Sequence, residues 1–302
     1  MKMATKKHSP FIKEHGPGGK NNKLAAIVVP MHSRVLASDE EISLKHLRNF
    51  LGKYEKYIIA PKRLDLKMMH DDFTVKRFDA KYFGSKKRYS KLLMSRNFYR
   101  EFAEYEYILI YQLDCLVFSD RLGEWCAKGY DYIGAPWFKN VTTTWDPWED
   151  SVGNGGFSLR KVSTFLGVLD KYYKPYSIIG RALKWCFYFF KQYYYSASTD
   201  MESGIAVKKY KVLTHCLHED FFWSFSAKDY WPDFKIPSCE VALSFSFETG
   251  PRFCFEKNNH TLPFGCHAWN SYDRKFWEPY LLKDNSVSDR GPRLADISDS
   301  QK

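Results

Sequence analysis

Two polar residues, Gln112 and Asp114, directly follow an apolar run at residues 107–111, which read YILIY. The run is apolar throughout, so it predicts a strand that is covered on both faces within a parallel sheet. Because Gln112 and Asp114 have the same parity, their side chains can point the same way where the strand leaves the sheet. Ligands bind at this carboxyl edge in open α/β sheets. We therefore expect an amide and a carboxylate beside a ligand.

A pair of acids, Glu219 and Asp220, stands at the start of a second segment, where FFWS at residues 221–224 predicts a helix. A carboxylate at the start of a helix is favoured by the helix dipole and is held ionised. An ionised carboxylate that is directed into a pocket can accept the proton of an attacking hydroxyl group. A pair that only caps the helix would have the same sequence, and this alternative stays open.

Three glycines surround Asn154 in the sequence VGNGG at residues 152–156. Glycine allows backbone torsion angles and close approaches that a side chain would block. The loop can therefore lie flat against a ligand ring while Asn154 hydrogen-bonds to it. The Gly-Lys-Ser/Thr ending of a phosphate-binding loop is absent. The alternative is a tight turn into a predicted strand at residues 156–159.

One histidine, His267, lies between small residues in the sequence PFGCHAW at residues 263–269. Neutral imidazole is a competent metal ligand. A lone histidine whose ring bonds to a carbonyl is common, and both interpretations fit the sequence.

The elements that must position these residues alternate along the chain. Residues 24–30 predict a buried strand, residues 38–52 an amphipathic helix and residues 56–60 a second strand, an order that is typical of a Rossmann-like half. Further predicted elements are a strand at 73–78, a helix at 86–105, a helix at 119–128, a strand at 130–135, a helix at 162–173 and a strand at 239–247. We predict one α/β domain over residues 24–283, with a mostly parallel sheet flanked by helices. Residues 1–23 predict a flexible basic arm and residues 284–302 a flexible tail.

Composition narrows the class of function without choosing one. The formal net charge of +11 favours an anionic partner, which is a nucleotide diphosphate, a nucleic acid or a membrane surface. The 7 cysteines include no C-x-x-C pair, which argues against a zinc site and a disulfide framework. Their number and apolar surroundings fit a reducing cytoplasm, where we expect the protein. No apolar run approaches the roughly 20 residues that a membrane span requires.

Taken in order, the motifs resemble those of GT-A-type glycosyltransferases, in particular a microbial family long labelled as a domain of unknown function. They are QLD at 112–114, YDYIGAPW at 130–137, GNGGFSLR at 153–160, HEDFF at 218–222, FSFE at 245–248 and PFGCHAW at 263–269. The combination is far more specific than any one motif. The resemblance implies a GT-A-like fold and the transfer of a sugar from a nucleotide-sugar donor to an acceptor hydroxyl.

The resemblance also implies donor and metal contacts. Pro30 and His32, at the end of the first strand, would contact the donor nucleotide, although an ordinary strand-to-helix turn would look the same. Asp114 and His267 would hold Mn²⁺ or Mg²⁺, which neutralises the charge of the departing diphosphate. Gln112 stands where the Asp-x-Asp triplet of GT-A enzymes has its first acid. Its amide can hold a ribose hydroxyl or a metal-bound water, but the missing charge predicts weaker metal binding.

Two basic residues are further candidates for donor binding. Lys62 follows the second strand at the same sheet edge, where it can meet a phosphate. Arg96 belongs to the predicted helix that leads into the strand before Asp114. Solvated charges on the surface are the alternative for both.

The remaining assignments concern the transfer itself. The resemblance implies Asp220 as the general base, and we assign Glu219 as a ligand for acceptor or donor hydroxyls. Sugar and acceptor binding is assigned to Trp137, Asn154, Gly155 and Gly156.

A stretch at residues 174–195 interleaves basic and aromatic side chains. This mixture suits a membrane interface or a lipid-linked acceptor, single-stranded nucleic acid, or a buried helix with snorkelling lysines. The usual nucleic-acid recognition motifs are absent. We predict a peripheral membrane contact here and no nucleic-acid partner.

These observations together predict a metal-dependent transferase that moves a sugar from a UDP-sugar to a hydroxyl of a glycan or lipid-linked glycan, as in polysaccharide biosynthesis. A base on the face opposite the leaving group implies inversion, and a retaining transferase is the variation. Two alternatives of other classes stay open. The incomplete triplet permits a catalytically silent glycan- or nucleotide-binding module, and the positive charge permits a nucleic-acid-binding protein.

Overall fold

The computed structural model describes residues 23–283, apart from position 34, residues 67–71, position 140, residues 142–149 and residues 175–217. The strands are β1 (Lys23–Pro30), β2 (Glu55–Pro61), β3 (Thr74–Phe78), β4 (Tyr105–Tyr111), β5 (Leu116–Val117), β6 (Tyr132–Ile133), β7 (Ala135–Trp137), β8 (Ser151–Gly153), β9 (Phe157–Lys161), β10 (Ser246–Phe247) and β11 (Gly265–Cys266). The helices are α1 (Ser38–Leu51), α2 (Lys86–Leu93), α3 (Arg96–Arg100), α4 (Leu122–Ala127), α5 (Val162–Tyr172), α6 (Glu219–Phe221), α7 (Ala227–Tyr230), α8 (Cys239–Phe245), α9 (Pro251–Lys257) and α10 (Arg274–Trp277). A π turn (Phe222–Ser226) joins α6 to α7, and short 3-10 turns lie at Ala80–Tyr82 and Glu278–Tyr280.

The centre of the fold is a six-stranded sheet with the order β3-β2-β1-β4-β9-β6. Strands β3, β2, β1 and β4 pair in parallel, whereas β9 is antiparallel to both of its neighbours. The predicted α/β fold with a mostly parallel sheet is confirmed.

Helices cover both faces of this sheet, which explains why the two central strands are apolar over residues 24–30 of β1 and 107–111 of β4. Helices α1 and α4 pack on one face. Helices α2, α3 and α5 pack on the other face, together with Trp223 of the π turn. Since both faces are covered, the carboxyl edge of the sheet is where the polar ends of the central strands meet solvent.

A second, three-stranded sheet with the order β10-β11-β5 brings the C-terminal part of the chain to that edge. Strands β10 and β11 are parallel and in register, with Phe247 opposite Cys266. Glu248 and His267 therefore leave two neighbouring strands at equivalent positions. Strand β5 runs antiparallel to β11 and begins shortly after Asp114. Three residues that are far apart in sequence thus reach one place.

Several predicted elements have different boundaries in the structure. The strand predicted at 239–247 is wrong for most of its length: α8 occupies Cys239–Phe245, and only Ser246–Phe247 forms a strand. Its buried residues Cys239, Ala242, Leu243 and Phe245 follow a helical spacing that the apolar composition concealed.

Three further predictions need correction. The helix predicted at 86–105 is divided into α2 and α3 because Ser95 is extended, with φ −95° and ψ 129°. The helix predicted from residue 119 begins only at Leu122. The strand predicted at 130–135 is interrupted at Gly134, where a Cβ atom would lie 2.7 Å from the backbone carbon of Gly153.

Some predictions fall on residues outside the described ranges. These are the basic arm up to residue 22, the tail at 284–302 and nearly all of the basic-aromatic stretch at 174–195. Within the described ranges, no helix combines the length and the apolar character that crossing a membrane demands.

Candidate functional site

A cleft with two adjoining chambers opens at the carboxyl ends of β1 and β4. The larger chamber has a volume of about 750 Å³ and the smaller one about 360 Å³. Lys86, Tyr89 and Gln112 line both chambers and so form their junction. The larger chamber includes Pro30, His32, Ser85 and Asp114, and the smaller one Trp137, Gly155, Gly156, Glu219, Asp220, Glu248 and His267.

His267 lies between two carboxylates at the back of the cleft. Its Nδ1 is 2.9 Å from Glu248 Oε1, and its Nε2 is 3.4 Å from Asp114 Oδ1. Burial alone would lower the pKa of His267, but the charges of Asp114, Glu248 and Asp220 raise it to about 9. Burial would raise the pKa of Glu248, but hydrogen bonds from His267 and from Trp137 Nε1, at 3.0 Å, bring it below its ordinary value. Glu248, His267 and Asp114 therefore form a network of ion pairs.

The opposite side of the imidazole ring faces acceptor atoms. His267 Nε2 lies 3.3 Å from Gln112 Oε1 and 3.4 Å from Asp114 Oδ1. Asp114 Oδ1 is buried and has no hydrogen-bond partner within the described ranges. Nδ1 is directed at Glu248, so Nε2 is the ring nitrogen that faces Gln112 Oε1 and Asp114 Oδ1. Because both oxygens are acceptors, a positive charge must lie between them and Nε2, either a proton on Nε2 or a cation.

This donor set fits a divalent cation only in part. Carboxylate, amide oxygen and imidazole nitrogen are ligands that Mn²⁺ accepts. Within the part of the chain that the structure describes, no group of three or more His, Cys, Asp or Glu side chains is placed to hold a metal. Asp114, Gln112 and His267 would therefore hold Mn²⁺ or Mg²⁺ only together with oxygens of a bound ligand, as magnesium sites with substrate phosphates do.

The glycine loop packs directly against His267. A Cβ atom on Gly156 would lie 2.1 Å from His267 Nε2, so glycine is required for this close approach. Asn154 is buried, and its Oδ1 accepts hydrogen bonds from the amides of Gly156 and Phe157 at 2.6 and 2.9 Å. Its Nδ2 lies 3.1 Å from His267 Nδ1. Because Nδ1 already donates to Glu248, the amide of Asn154 donates to Glu248 as well, so Asn154 fixes the loop and the carboxylate that holds the imidazole. The sugar contact assigned to Asn154 stays a prediction.

Asp220 is the acid that faces the smaller chamber from α6. Its Oδ1 accepts a hydrogen bond from the amide of Phe221 at 2.9 Å. Burial is the main cause that raises the pKa of Asp220 to about 7, and the charges of Glu219 and Glu248 add to it. A carboxyl group that titrates near neutral pH suits general acid-base chemistry. A Cβ atom on Gly155 would lie 2.8 Å from Glu219 Oε1 and 3.8 Å from Asp220 Oδ2, so the glycine loop packs against both acids.

Glu219, the neighbour of Asp220, is held from below by Arg160. The guanidinium group donates two hydrogen bonds to its carboxylate, at 2.9 and 3.0 Å, and both side chains are buried. Arg160 also donates to Tyr99 and Ser158 at 3.0 Å each. A buried, bidentate ion pair of this kind fixes geometry more than it adds stability. Glu219 therefore anchors the start of α6, and a contact with substrate hydroxyls stays a prediction.

A family model described as "Protein of unknown function (DUF5672)" matches residues 72–267, which is more than half of the chain. The chain belongs to this family. The match begins before β3 and ends at His267, so it includes Asp114, the glycine loop and Asp220. The resemblance to a family of unknown function is confirmed, and the GT-A type remains a prediction.

Solved structures give weaker similarities for this family member. The apo form of the glycosyltransferase GlyE of Streptococcus pneumoniae TIGR4 is 15% identical with a TM-score of 0.39, and a second GlyE structure is 12% identical with 0.40. Both matches cover 87% of this chain but only 61% of the GlyE chain. The bifunctional IspDF of Campylobacter jejuni is 10% identical over 51% of this chain and 45% of its own, with a TM-score of 0.34. TM-scores this low assign neither fold nor activity. No curated protein matches the sequence.

The donor residues predicted for this family member divide into two groups. Pro30 and His32 line the larger chamber beside Asp114. Lys62 and Arg96 are not among the described residues that line the two chambers. Arg96 lines a different cavity, where its Nη1 lies 3.1 Å from Asp170 Oδ1. The geometry gives no support to donor contacts by these two residues.

Trp137 lies in β7 and is buried, where its ring stacks on Phe221 at a centroid distance of 5.2 Å. It lines the smaller chamber and its indole donates to Glu248. It therefore shapes the wall of the smaller chamber, and the sugar contact assigned to it stays a prediction.

Four residues of the site were not assigned from the sequence: Lys86, Tyr89, Arg160 and Glu248. The sequence FSFE at 245–248 was the available signal for Glu248, since it belongs to the resemblance. Lys86 and Tyr89 are three positions apart on α2, which predicts one helix face but not what that face meets. Arg160 follows an apolar strand pattern, and nothing local indicates its buried partner.

Proposed function

We propose that this protein is a glycosyltransferase that moves a sugar from a UDP-sugar to a hydroxyl group of a glycan acceptor. One observation carries the proposal: Asp114, His267 and Asp220 surround one cleft at the carboxyl edge of a mostly parallel sheet. Ligand sites of open α/β sheets occupy this position. A carboxylate for a metal-bound diphosphate and a second one for proton transfer are the two groups that the reaction needs.

The larger chamber suits the nucleotide part of the donor. It lies at the end of β1, where Pro30 and His32 are available to the base and ribose. The diphosphate would lie at the junction, because Lys86 supplies a positive charge there and Gln112 and Asp114 face it. The sugar would then enter the smaller chamber.

The smaller chamber suits the transfer step. The acceptor oxygen attacks the anomeric carbon as the bond from that carbon to the diphosphate oxygen breaks. Asp220 takes the hydroxyl proton, and the nucleoside diphosphate leaves with the bonding electron pair. A base opposite the leaving group gives inversion, whereas a retained anomer, read by NMR of the product, would contradict this part of the proposal.

Each neighbouring group has a role that follows from its contacts. Arg160 holds Glu219, and Glu219 fixes the start of α6, so that Asp220 stays aimed at the chamber. Glu248, which also accepts from the amide of Asn154, and the close approach of Gly156 hold the ring of His267 in place. A bound Mn²⁺ or Mg²⁺ would neutralise the charge that builds on the leaving group, and Asp114, Gln112 and His267 are the residues that would hold it.

The experiment that tests donor binding is a thermal-shift screen of UDP- and GDP-sugars with and without MnCl₂. A ligand that binds the native state raises its stability by about 2.7 kcal/mol at a hundred times its Kd. We expect a UDP-sugar to raise Tm, and more so with Mn²⁺. Lys62→Ala is the matched control, since Lys62 lies outside the cleft and its loss should leave the shift unchanged. A screen in which no nucleotide sugar changes Tm would remove the proposal.

A second candidate is a binding module without turnover. It is favoured by Gln112 in place of an acid, together with the lack of a three-residue cluster of metal ligands in the described ranges. Such a module would bind a UDP-sugar but release no UDP, with or without acceptors. Measured release of UDP separates the two functions.

A further inference from the structure

A second, basic cavity lies on the other side of α2 from the cleft. It has a volume of about 1030 Å³ and is lined by Ala80, Lys81, Tyr82, Arg88, Lys91, Ser95, Arg96, Asn97 and Tyr173. We call it the basic groove. Four of these side chains are cationic, and the described lining includes no acid. Nothing in the proposed transfer uses this groove.

The positive charge of the groove is only partly compensated. Arg96 lies 3.1 Å from Asp170, and Lys81 lies 3.9 Å from Asp79. In both ion pairs the cation and the carboxylate are substantially exposed. Exposed ion pairs of this kind contribute little in water. Arg88 donates to an uncharged backbone carbonyl at 3.4 Å. The groove therefore keeps a net positive charge, which suits an anionic ligand.

The uncharged groups of the groove indicate what kind of anion it fits. The ring of Tyr82 lies 5.2 Å from Lys81 Nζ, and the ring of Tyr173 lies 5.5 Å from Arg96 Cζ. Each aromatic ring thus adjoins a cation. Ser95 and Asn97 add a hydroxyl and an amide, which bond well to hydroxyl groups. Rings, amides and cations together suit charged sugar units, whereas a lipid surface would need only charge and apolar contact.

The groove and the cleft lie on different faces of the same helix, α2. Lys86 and Tyr89 of α2 line the cleft, whereas Arg88 and Lys91 of the same helix line the groove. The two sites are thus separated by about one helix diameter, roughly 10 Å. A polymer long enough to pass one helix can therefore occupy both.

We infer that the basic groove binds an acidic glycan, a sugar chain that carries carboxylates, and holds it while one end reaches the cleft as acceptor. The inference rests on the proposed function for the part that concerns the acceptor. Carboxylates pair with Arg88 and Lys91 through charge-assisted hydrogen bonds, and sugar rings pack on the tyrosines.

The test compares two double variants of the full chain that change the charge equally. Lys81→Glu with Lys91→Glu reverses two charges in the groove. Lys87→Glu with Arg100→Glu reverses two exposed charges of α2 and α3 that line none of the described cavities named above. Binding of oligogalacturonate, a sugar chain with one carboxylate per ring, is measured by calorimetry, with a neutral oligosaccharide of equal length as reference.

We expect the groove variant to lose at least about tenfold in oligogalacturonate affinity, because the charge-assisted contact of Lys91 is lost and two introduced carboxylates repel the ligand. The control variant should change it by less than about twofold. The inference is overturned if oligogalacturonate does not bind, if both variants lose affinity equally, or if the neutral oligosaccharide binds as tightly as oligogalacturonate. It is also overturned if oligothymidylate or anionic vesicles bind more tightly than oligogalacturonate and lose that binding in the groove variant, since the groove would then serve nucleic acid or membrane.

Calorimetry with a UDP-sugar and Mn²⁺, without glycan, reports on the cleft separately. The groove variant should keep the donor affinity of the unmodified chain. If oligogalacturonate binds through the groove but no nucleotide sugar binds, the groove site stands and the proposed function fails. If the donor binds and oligogalacturonate does not, the reverse holds.

Discussion

The two chambers of the cleft differ in how firmly their side chains are held. In the smaller chamber, Glu248 is bonded to both His267 and Asn154, and Glu219 is bonded to a buried arginine. The larger chamber is lined by the loop after β1, in which His32 is exposed. Preorganised groups serve a chemical step best, whereas exposed side chains on a loop suit recognition. We therefore expect chemistry to depend on the smaller chamber and donor choice on the larger one.

The largest effect should come from Asp220, the proposed base. Asp220→Asn keeps the side-chain oxygen that accepts from the amide of Phe221 but cannot take a proton. We expect kcat to fall by about 10³-fold, within the range of general-base catalysis, while the Kd for the donor stays within about twofold. Initial rates of UDP release and calorimetry measure the two quantities. Full activity in the variant would show that another group is the base.

The next largest effect should come from Asp114, which lines the larger chamber and faces His267 of the smaller one. Asp114→Ala removes the buried oxygen that faces His267 Nε2. We expect donor affinity in Mn²⁺ to fall by about 10²-fold, because a carboxylate ligand to the cation and its bound phosphates is lost. Calorimetry with and without Mn²⁺ checks this. If the affinity with Mn²⁺ is unaltered, the metal assignment is wrong.

Activity should also depend on pH through Asp220. With a pKa of about 7, the free enzyme has this carboxyl half ionised at neutral pH. Since the base must be ionised, kcat/KM should fall by about tenfold per pH unit below pH 7. A pH profile measured at low substrate concentration reports this limb. A profile that is flat down to pH 5 would contradict the role of Asp220.

The same pKa predicts an effect on stability in the opposite direction. The pKa of Asp220 is raised in the folded state, from 3.8 to about 7, so the folded state binds more protons. The stability that this group contributes is complete below pH 3.8 and is lost as pH rises through about 7. A shift from 3.8 to about 7 corresponds to about 4 kcal/mol at about 1.4 kcal/mol per pKa unit. Because the side chain is not fully buried, we take about half of this value. Asp220→Asn should therefore raise the free energy of unfolding at pH 8 by about 2 kcal/mol. Urea titration at pH 8 and at pH 5 measures it, and the gain should be smaller at pH 5.

The smallest effect should come from the larger chamber. His32 is exposed and belongs to the loop, so other groups can take over its contacts. We expect His32→Ala to change KM for the donor by about threefold and kcat hardly at all, since an exposed contact contributes about 0.6 kcal/mol. Steady-state kinetics with varied UDP-sugar measures both. A loss in kcat as large as that of Asp220→Asn would contradict the division between the chambers.

The parts of this molecule that the sequence predicts well are those with long, regular patterns. The order β1-α1-β2 follows from apolar runs of full length, and Asp114 is placed at the sheet edge by the strand before it. The small sheet could not be predicted, because β5, β10 and β11 have two residues each and carry no periodicity. That sheet is what brings Glu248 beside His267.

The buried partner of Glu219 was hidden for a different reason. Arg160 lies in β9, and the pairing depends on the packing of α6 under the sheet edge, which is a contact across 59 positions of the chain. Local propensity contains no information on such pairs. The sequence therefore predicts that an acid pair begins a helix, but not that one acid anchors the other.

Helix α2 gives one face to the cleft and another to the basic groove, and it is only eight residues long. A rigid element of this size cannot shift on one side and stay fixed on the other. By thermodynamic reciprocity, an occupant of the groove that changes donor affinity through α2 must have its own affinity changed by the same factor. The coupling factor can then be measured either by titrating the donor with and without the polymer or by titrating the polymer with and without the donor.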